Sequence, residues 1–368
     1  MKIDEILNKD YFTFEEIKFL LSVNEKHYIE ELQAKAYDVM KNNVGEKVYL
    51  RGLIEFSNLC INDCYYCGIR KSNHSVKRYT LERDEIIDIA HWCAGQGFGS
   101  LVLQSGERND EQFIDFIEAI VKVIKIQTKS EKLPNGLGIT LCVGEQTEEA
   151  YRWFFKAGAH RYLLRIETSN PELFSKLHPD FQLYDRRLKA LKLLKAIGFQ
   201  VGTGVMVGIP GQTIDDLAND ILFFKEMDID MLGMGPYIVH SDTPMNVYYD
   251  EYSERKREIY ELALKMIAVS RIVLKDVNIA STTALQAMYP MGREAGLMFG
   301  ANVIMPMLTP THVRSDYQLY NGKPCIDEFT SDCFECVQQR IESTGRTVAK
   351  DEYGDSRHYF RTMNLSKE

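Results

Sequence analysis

Residues 48–68 decide the fold, and they read Val48-Tyr-Leu-Arg-Gly-Leu-Ile-Glu-Phe-Ser-Asn-Leu-Cys-Ile-Asn-Asp-Cys-Tyr-Tyr-Cys-Gly68. The first half is a short apolar run that predicts a strand over 48–56. The second half places Cys60, Cys64 and Cys67 on one loop directly after that strand. Three thiolates can ligate three irons of a [4Fe–4S] cluster and leave the fourth iron without a protein ligand. Because catalytic metal sites keep one position open, the loop predicts a catalytic cluster.

A structural zinc site is the alternative for these three cysteines. Such a site usually has a second Cys-x-x-Cys or a His pair within a few tens of residues, which completes a tetrahedron. Here the next cysteine is Cys93, and His74 stands in a basic stretch with no second ligand pair beside it. The sequence therefore favours the iron–sulfur cluster.

From about residue 48, short apolar segments alternate with amphipathic ones. The predicted strands are 48–56, 100–105, 137–143, 161–167, 201–207, 231–238, 277–283 and 301–307. The predicted helices lie near 82–96, 111–127, 147–157, 185–197, 213–226, 251–272 and 285–298. Because parallel neighbours need a crossover connection, this alternation predicts a parallel sheet. Eight such units favour an α/β fold, the closed (β/α)8 TIM barrel, whose active sites lie on the loops after the strands.

The pattern divides the chain into three regions: N-terminal helices over 1–46, the barrel over 47–310 and a C-terminal extension over 311–368. The extension contains Cys325, Cys333 and Cys336, the last two as a Cys-x-x-Cys pair. We expect an accessory iron–sulfur cluster there, with zinc as the alternative because zinc also favours thiolates. Cys93 falls in a helical stretch beside Trp92 and is expected to be a packed core thiol.

The composition is that of an ordinary globular protein. Of 368 residues, 45% are apolar and 26% are charged, and the net charge is −9, so a nucleic-acid partner is not expected. No apolar run reaches the roughly 18 residues that a membrane helix needs, so no membrane association is expected. The charged N-terminus does not resemble a signal peptide, and eight cysteines in such a chain indicate thiols and metal ligands. We expect a cytoplasmic protein.

Arg165 and Glu167 lie two apart on the fourth predicted strand and therefore share a face. Two charged side chains inside a barrel are costly unless they are paired or bind a ligand. One interpretation is a buried structural ion pair. The other is a ligand site, in which Glu167 meets cationic or hydroxyl groups and Arg165 meets an anion.

The spacing Cys-x3-Cys-x2-Cys, with the aromatic Tyr66 before the last cysteine, resembles the radical S-adenosylmethionine (SAM) superfamily. The resemblance implies that the open iron binds the amino and carboxylate groups of SAM, and that reductive cleavage of SAM yields a 5′-deoxyadenosyl radical. It also implies a SAM amino-group site at Gln104, Ser105, Gly106 and Glu107. Arg187 is expected to hold the SAM carboxylate, and its neighbour Arg186 is the rival for that role.

Longer stretches resemble the HydE family of [FeFe]-hydrogenase maturases. They are Ile54–Cys60, Leu103–Glu107, Arg161–Arg165, Met206–Leu217 and Gly300–Pro306, and they are spread over residues 50 to about 340, most of the chain. The cysteine trio of the extension resembles the accessory cluster site of some HydE proteins. Two positions depart from the pattern: Ile166 stands where we expect histidine in some members, and Cys142 stands where we expect serine.

The HydE resemblance implies a set of roles for individual residues. Contacts with SAM are implied for Tyr66, Gln104, Ser105, Gly106, Glu107, Glu167, Arg187, Met206 and Ile238. The anion or substrate pocket is implied for Thr140, Cys142, Arg165, Thr282, Thr283 and Tyr317. The implied substrate is an organometallic Fe(CO)2(CN)–cysteine complex, the implied reductant is a ferredoxin or flavodoxin, and other hydrogenase maturases are implied partners.

Three other functions compete with this one. Biotin synthase is disfavoured. It needs several cysteines on different barrel strands, and here only Cys142 is present. A radical mutase of the methylornithine synthase type shares the architecture and is the main enzyme alternative. A non-catalytic iron–sulfur scaffold or carrier is the third, and it would need no clamp for an amino acid.

Overall fold

The computed structural model describes residues 2–327 and 330–363, and the side chains of residues 330–333 lie outside that description. The strands are β1 (Lys47–Ser57), β2 (Ser100–Ser105), β3 (Gly138–Cys142), β4 (Arg161–Leu163), β5 (Gln200–Thr203), β6 (Met206–Val207), β7 (Met231–Leu232), β8 (Gly235–Pro236), β9 (Asn278–Ile279), β10 (Val303–Ile304) and β11 (Thr347–Ala349). The helices are α1 (Ile3–Leu7), α2 (Phe14–Ser22), α3 (Lys26–Asn43), α4 (Arg83–Gly95), α5 (Glu111–Gln127), α6 (Glu148–Ala157), α7 (Pro171–Leu177), α8 (Tyr184–Ile197), α9 (Ile214–Glu226), α10 (Tyr249–Leu274), α11 (Thr283–Met288), α12 (Gly292–Met298), α13 (Thr311–Arg314), α14 (Thr330–Glu342) and α15 (Arg357–Thr362), with a 3-10 helix at Pro244–Tyr248.

The barrel strands follow one another in the order β10-β1-β2-β3-β4-β5-β7-β9, and every neighbouring pair is parallel. The ring closes between β9 and β10, where Ala280 pairs with Val303. Two backbone hydrogen bonds of 2.9 Å, from Asn302 to Ile279 and from Ser281 to Val303, hold this seam. The predicted (β/α)8 barrel is confirmed, with helices between the strands as the crossover rule requires.

The later strands are shorter than the apolar runs predicted. Regular pairing in the fourth strand ends at Leu163, and the chain pairs again only where Glu167 bridges Val205. In the fifth and sixth strands a break separates β5 from β6 and β7 from β8, and β6 pairs with β8 as a small second sheet. These breaks lie towards the C-terminal ends of the strands, the end at which the predicted site residues lie.

The single helix predicted over 285–298 is wrong. Two helices, α11 and α12, meet at a break around Pro290. Tyr289, directly before this proline, has an extended backbone with φ −141° and ψ 137°. A proline disfavours helical conformation in the residue before it and has no N–H to donate, which explains the break.

The segment at Tyr353–Ser356 covers the end of the barrel where the strands begin. The Gly354 carbonyl accepts hydrogen bonds of 2.9 Å from Arg51 and Asn278, residues near the starts of β1 and β9. Arg161, the first residue of β4, donates to the Tyr353 carbonyl at 3.0 Å. These contacts close the barrel floor with backbone that is itself satisfied by buried side chains.

The N-terminal helices pack on the outside of the barrel, α2 against α9 and α3 along α10. Thr13 and Glu16 form a capping box at the start of α2. No helix of the described residues is both long and apolar enough to cross a membrane. The domain boundaries at 46 and 310 stay predictions.

Candidate functional site

The three predicted cluster ligands lie on the loop between β1 and α4, at the mouth of the barrel. The Cys67 N–H donates to the Cys64 carbonyl at 3.2 Å, which folds the loop into a tight turn. Burial raises the pKa of Cys64 to about 12, and it also raises the pKa of Cys60 and Cys67. Buried thiolates need a neighbouring positive charge, and iron ions supply it.

The donor set fits an iron–sulfur cluster better than a single metal ion. Among the described residues, no three His, Cys, Asp or Glu side chains converge as a mononuclear site requires. A [4Fe–4S] cluster instead takes each cysteine on a different iron. Cys60, Cys64 and Cys67 would hold three of these irons.

The segment Gln104–Glu107, at the end of β2, lies directly against the cysteine loop. The Gly106 N–H donates to the Ser57 carbonyl at 2.9 Å, and the Ile61 N–H donates to the Glu107 carbonyl at 2.9 Å. A Cβ on Gly106 would lie 2.3 Å from the Leu59 carbonyl oxygen, so only glycine fits this approach. The Ser105 hydroxyl donates to the Gly106 carbonyl at 2.7 Å.

Two side chains that the sequence did not single out support the cysteine loop. His178 meets the Tyr66 ring edge-on with centroids 5.5 Å apart, and its Nε2 lies 3.4 Å from the Tyr66 hydroxyl. The Gln182 side chain lies 3.4 Å from the Cys64 sulfur. Both come from the region around α7, a helix that the strand–helix alternation did not predict.

Arg187 belongs to a buried cluster of charges. Its Nε donates to Oε1 of Glu145 at 2.6 Å, and Arg186 Nε lies 3.1 Å from Oε2 of the same carboxylate. The Glu145 N–H in turn donates to Oε2 of Glu107 at 2.8 Å. Burial would lower the pKa of Arg187, but the carboxylates of Glu145 and Glu107 raise it above the ordinary value. The guanidinium stays charged and can bind an anion.

The structure separates Arg187 from its rival. The side chain of Arg187 is 8% exposed, whereas that of Arg186 is 57% exposed. Arg187 also lies over the Phe174 ring, with 5.9 Å from its guanidinium carbon to the ring centroid. The inward-facing Arg187 is the better candidate for a contact with bound SAM.

Arg165 and Glu167 face the same interior, with 3.0 Å between Arg165 Nη2 and Glu167 Oε2. Both of these atoms are buried, and neither has a hydrogen bond among the described residues. Glu167 also has a positive φ of 67°, which is unusual for a residue with a side chain. Backbone strain of this kind, of order 1–3 kcal/mol, clusters at ligand sites.

Cys142, at the end of β3, packs with an apolar layer across the barrel interior. This layer consists of Leu53, Val102 and Met307, with Met305 also in contact. Burial raises the pKa of Cys142 to about 12, so the thiol stays neutral. The interior is therefore apolar near the axis, with the charged pair Arg165 and Glu167 nearby.

The predicted threonines have different environments. The Thr140 hydroxyl accepts a hydrogen bond of 2.9 Å from Arg161, in the lower layer of the barrel, and Thr283 accepts one of 2.7 Å from Arg293. The Thr282 Oγ1 is buried without a hydrogen bond among the described residues. Thr282 therefore has a hydroxyl without a partner in the described part of the chain, whereas Thr140 and Thr283 each have an arginine partner.

Tyr317 lies under a loop that follows the barrel. Its hydroxyl accepts a hydrogen bond of 3.3 Å from Gln104, and its carbonyl accepts one of 2.8 Å from Lys323. Lys323 also forms a buried ion pair with Glu55 of β1, at 2.6 Å to Oε1. Glu55 and Lys323 were not predicted, because 268 positions separate them in the chain.

The remaining predicted contacts are apolar. Met206 belongs to a buried cluster with Tyr237 and Val239, against which Tyr66 packs. Ile238 belongs to a separate cluster with Ile259 and Met288. Met206 is thus beside the cysteine loop, whereas Ile238 packs against α11.

The cysteine trio of the extension is only partly described. Cys325 is half-buried with a φ of 62°, and Cys336 is exposed on α14. The side chain of Cys333 lies outside the described residues. The accessory cluster stays a prediction.

A closed (β/α)8 barrel with a three-cysteine loop after its first strand defines the radical SAM class. A family model described as the Radical SAM superfamily matches residues 54–224. The chain is 44% identical to the [FeFe] hydrogenase maturase subunit HydE of Thermotoga maritima, over 98% of this chain and 99% of that protein.

More distant relatives share the architecture. The chain is 27% identical to 3-methylornithine synthase of Methanosarcina barkeri, over 94% of this chain and 93% of that protein. The crystal structure of a methylornithine synthase superposes with a TM-score of 0.78 at 24% identity, over 95% of this chain and 97% of that one. The chain is a radical SAM enzyme and belongs to the HydE family.

Proposed function

We propose that this enzyme acts in assembly of the active-site cluster of [FeFe]-hydrogenase, on a sulfur-containing Fe(CO)2(CN)–cysteine complex. The observation that carries the proposal is the 44% identity to a HydE protein over almost the whole of both chains. Buried polar groups inside the barrel support it, because the Arg165 guanidinium and the Thr282 hydroxyl offer donors to an anionic complex.

When bound, the cluster and SAM supply a 5′-deoxyadenosyl radical, and the chain's own residues bind and shield the reactants. Cys60, Cys64 and Cys67 hold three irons. Glu107 and its neighbours in Gln104–Glu107 are proposed to bind the SAM ammonium, and Arg187, whose Nε donates to Glu145, is proposed to bind its carboxylate. The apolar layer around Cys142 and the segment at Tyr353–Ser356 keep water from the barrel interior.

The reductant is proposed to be an acidic electron-transfer protein, a ferredoxin or flavodoxin. Residues 64–81 follow the first part of the cysteine loop and contain four Lys or Arg and no Asp or Glu, in a chain of net charge −9. Lys71, His74 and Lys77 are exposed there. Arg78 fixes this segment by donating to the carbonyls of Asn58 and Ile69 at 2.7 and 2.8 Å. A fixed positive surface beside the cluster loop suits an acidic partner.

The extension is proposed to hold an accessory iron–sulfur cluster at Cys325, Cys333 and Cys336. Its support is the ligand spacing alone. The other hydrogenase maturases are proposed as partners that supply the substrate and take up the product, in the reducing cytoplasm where thiols stay reduced.

The proposal is tested anaerobically. The protein is reconstituted with iron and sulfide, reduced and mixed with SAM, and 5′-deoxyadenosine is measured with and without the Fe(CO)2(CN)–cysteine complex. Formation that rises with the complex supports the proposal. If 5′-deoxyadenosine formation does not depend on the complex but rises with lysine, the enzyme is a mutase. If cluster-loaded protein forms no 5′-deoxyadenosine, the protein is a scaffold.

A further inference from the structure

We infer that Glu145 is a positioning residue, which holds Arg187 in the orientation that binds the carboxylate of SAM. The inference rests on the proposed function, because it assigns Arg187 to SAM. Glu145 lies just after β3 and was not among the residues that the sequence pattern indicated.

Each oxygen of the Glu145 carboxylate contacts one arginine. Oε1 accepts from Arg187 Nε at 2.6 Å, and Oε2 lies 3.1 Å from Arg186 Nε. The side chains of Glu145 and Arg187 are 9% and 8% exposed, so solvent screens this pair little. An ion pair with such geometry fixes a guanidinium plane more firmly than a solvated one does.

The remaining contacts of Arg187 leave one end of its guanidinium for a ligand. Nε bonds Glu145, and Nη1 donates to the Arg165 carbonyl. Among the described residues, Nη2 makes no hydrogen bond. Because the guanidinium is planar, two fixed nitrogens determine where the third points.

Glu145 also connects Arg187 to Glu107. Its N–H donates to Glu107 Oε2 at 2.8 Å. The preceding Gly144 has a φ of 78°, and a Cβ there would lie 2.3 Å from Glu107 Cγ. One residue thus holds the side chain proposed for the SAM ammonium and the one proposed for its carboxylate at a fixed separation.

The test compares two ligands on cluster-loaded protein. SAM carries the aminocarboxyl group, and 5′-methylthioadenosine lacks it. We expect Glu145→Ala to weaken SAM binding about tenfold, the effect of losing a hydrogen bond to a charged group. Glu145→Gln, which keeps an acceptor, should weaken it less. Binding of 5′-methylthioadenosine should stay within about twofold in both variants, since it needs no carboxylate site.

Glu148→Gln is the matched control, because the only ion pair of Glu148 within the described part of the chain is with the exposed Arg152, one turn along α6. Equal weakening of both ligands would mean a general disturbance of the pocket and would overturn the inference. Tighter SAM binding in Glu145→Ala would make Glu145 a competitor of SAM and would overturn it too, as would unchanged binding.

The proposed function fails separately. It fails when the cluster-loaded wild-type protein forms no 5′-deoxyadenosine, or when its formation does not rise with the Fe(CO)2(CN)–cysteine complex. The inference alone fails when the wild-type protein cleaves SAM and the Glu145 variants bind both ligands like the wild type.

Discussion

Arg165 and Glu167 place opposite charges 3.0 Å apart inside the barrel, yet neither contacting atom has a hydrogen bond among the described residues. A structural ion pair would satisfy its own donors and acceptors, because buried unpaired groups are costly. The pair therefore keeps a hydrogen-bond donor on Arg165 and an acceptor on Glu167 that a ligand can use. The positive φ of Glu167 supports this interpretation, since strained backbone of this kind clusters at ligand sites.

Glu167→Gln is expected to weaken SAM binding about tenfold, because it removes a charged acceptor from a buried site. The measurement is equilibrium binding of SAM to the cluster-loaded protein. Glu172→Gln, an exposed position in the first turn of α7, is the control and should bind normally. Normal SAM affinity in Glu167→Gln would mean that Arg165 and Glu167 form a structural ion pair and do not bind SAM.

Cys64→Ala is expected to abolish formation of 5′-deoxyadenosine and leave the fold intact, because the cluster loses one of its three ligands. Circular dichroism checks the fold, and product analysis checks the activity. Cys93→Ala removes a fully buried thiol outside the loop and should keep both iron and activity. Continued SAM cleavage by Cys64→Ala would show that Cys64 is not a ligand of the catalytic cluster.

Cys333→Ala is expected to lose the iron of the accessory cluster, to keep the iron of the Cys60–Cys67 cluster and to cleave SAM as before. Iron and sulfide analysis of the reconstituted variant, beside Cys64→Ala, makes the measurement. Iron content equal to that of the wild-type protein would show that the extension holds no iron cluster. Zinc analysis of the same samples then tests the alternative ligand.

Charge reversal of Lys71 and Lys77 is expected to slow reduction of the cluster by flavodoxin or ferredoxin about tenfold at low salt, with the difference shrinking as salt screens the surface. Reduction by dithionite should not change. Lys122→Glu on α5 is the control, because this exposed lysine lies on another face and pairs with Glu118. Equal rates for the double variant and the control would place the docking surface elsewhere.

The C-terminal helix α15 is expected to lose stability as pH rises. When protonated, His358 can donate from both ring nitrogens, from Nδ1 to Asp276 at 3.0 Å and from Nε2 to Asp228 at 2.7 Å, while Arg361 Nη2 lies 2.9 Å from Nδ1. Burial alone would lower the pKa of His358, but the two carboxylates raise it above 6.5. A raised folded pKa gives stability that is full below the unfolded pKa and is lost as pH passes the folded pKa.

Thermal unfolding of the wild-type protein and His358→Gln at several pH values from about 6 to 9 measures this contribution. The wild-type advantage should shrink with rising pH. The pKa of Asp276 is lowered to about 2, so its charge is constant over this range. An advantage that does not depend on pH would mean that His358 acts as a neutral hydrogen-bonding side chain.

Much of the barrel was predictable because its signals are local. The helix predicted over 111–127 matches α5 at both ends, and the strand predicted over 100–105 matches β2. The break at Pro290 was a local signal that the apolar periodicity of 285–298 concealed. The helix α7 was missed because it lies inside a connection, where strand–helix alternation predicts only one helix.

The candidate site divides in the same way. Cys60, Cys64, Cys67 and the segment at Gln104–Glu107 are recognisable from spacing, since each follows a predicted strand. Glu145 carried no motif, and only its 2.6 Å contact with Arg187 reveals it. The choice between Arg186 and Arg187 as the SAM ligand also required the structure, because the two neighbouring arginines differ in burial and not in residue type.

The sequence by itself determined the strand–helix alternation, the cysteine loop and the class of chemistry, because these depend on residues within a few positions of each other. Only the tertiary structure decided which charges meet. Arg187 reaches Glu145 across 42 positions, and Lys323 reaches Glu55 across 268. Such contacts depend on how the closed ring of strands brings distant loops to one end of the barrel, and no local pattern encodes that distance.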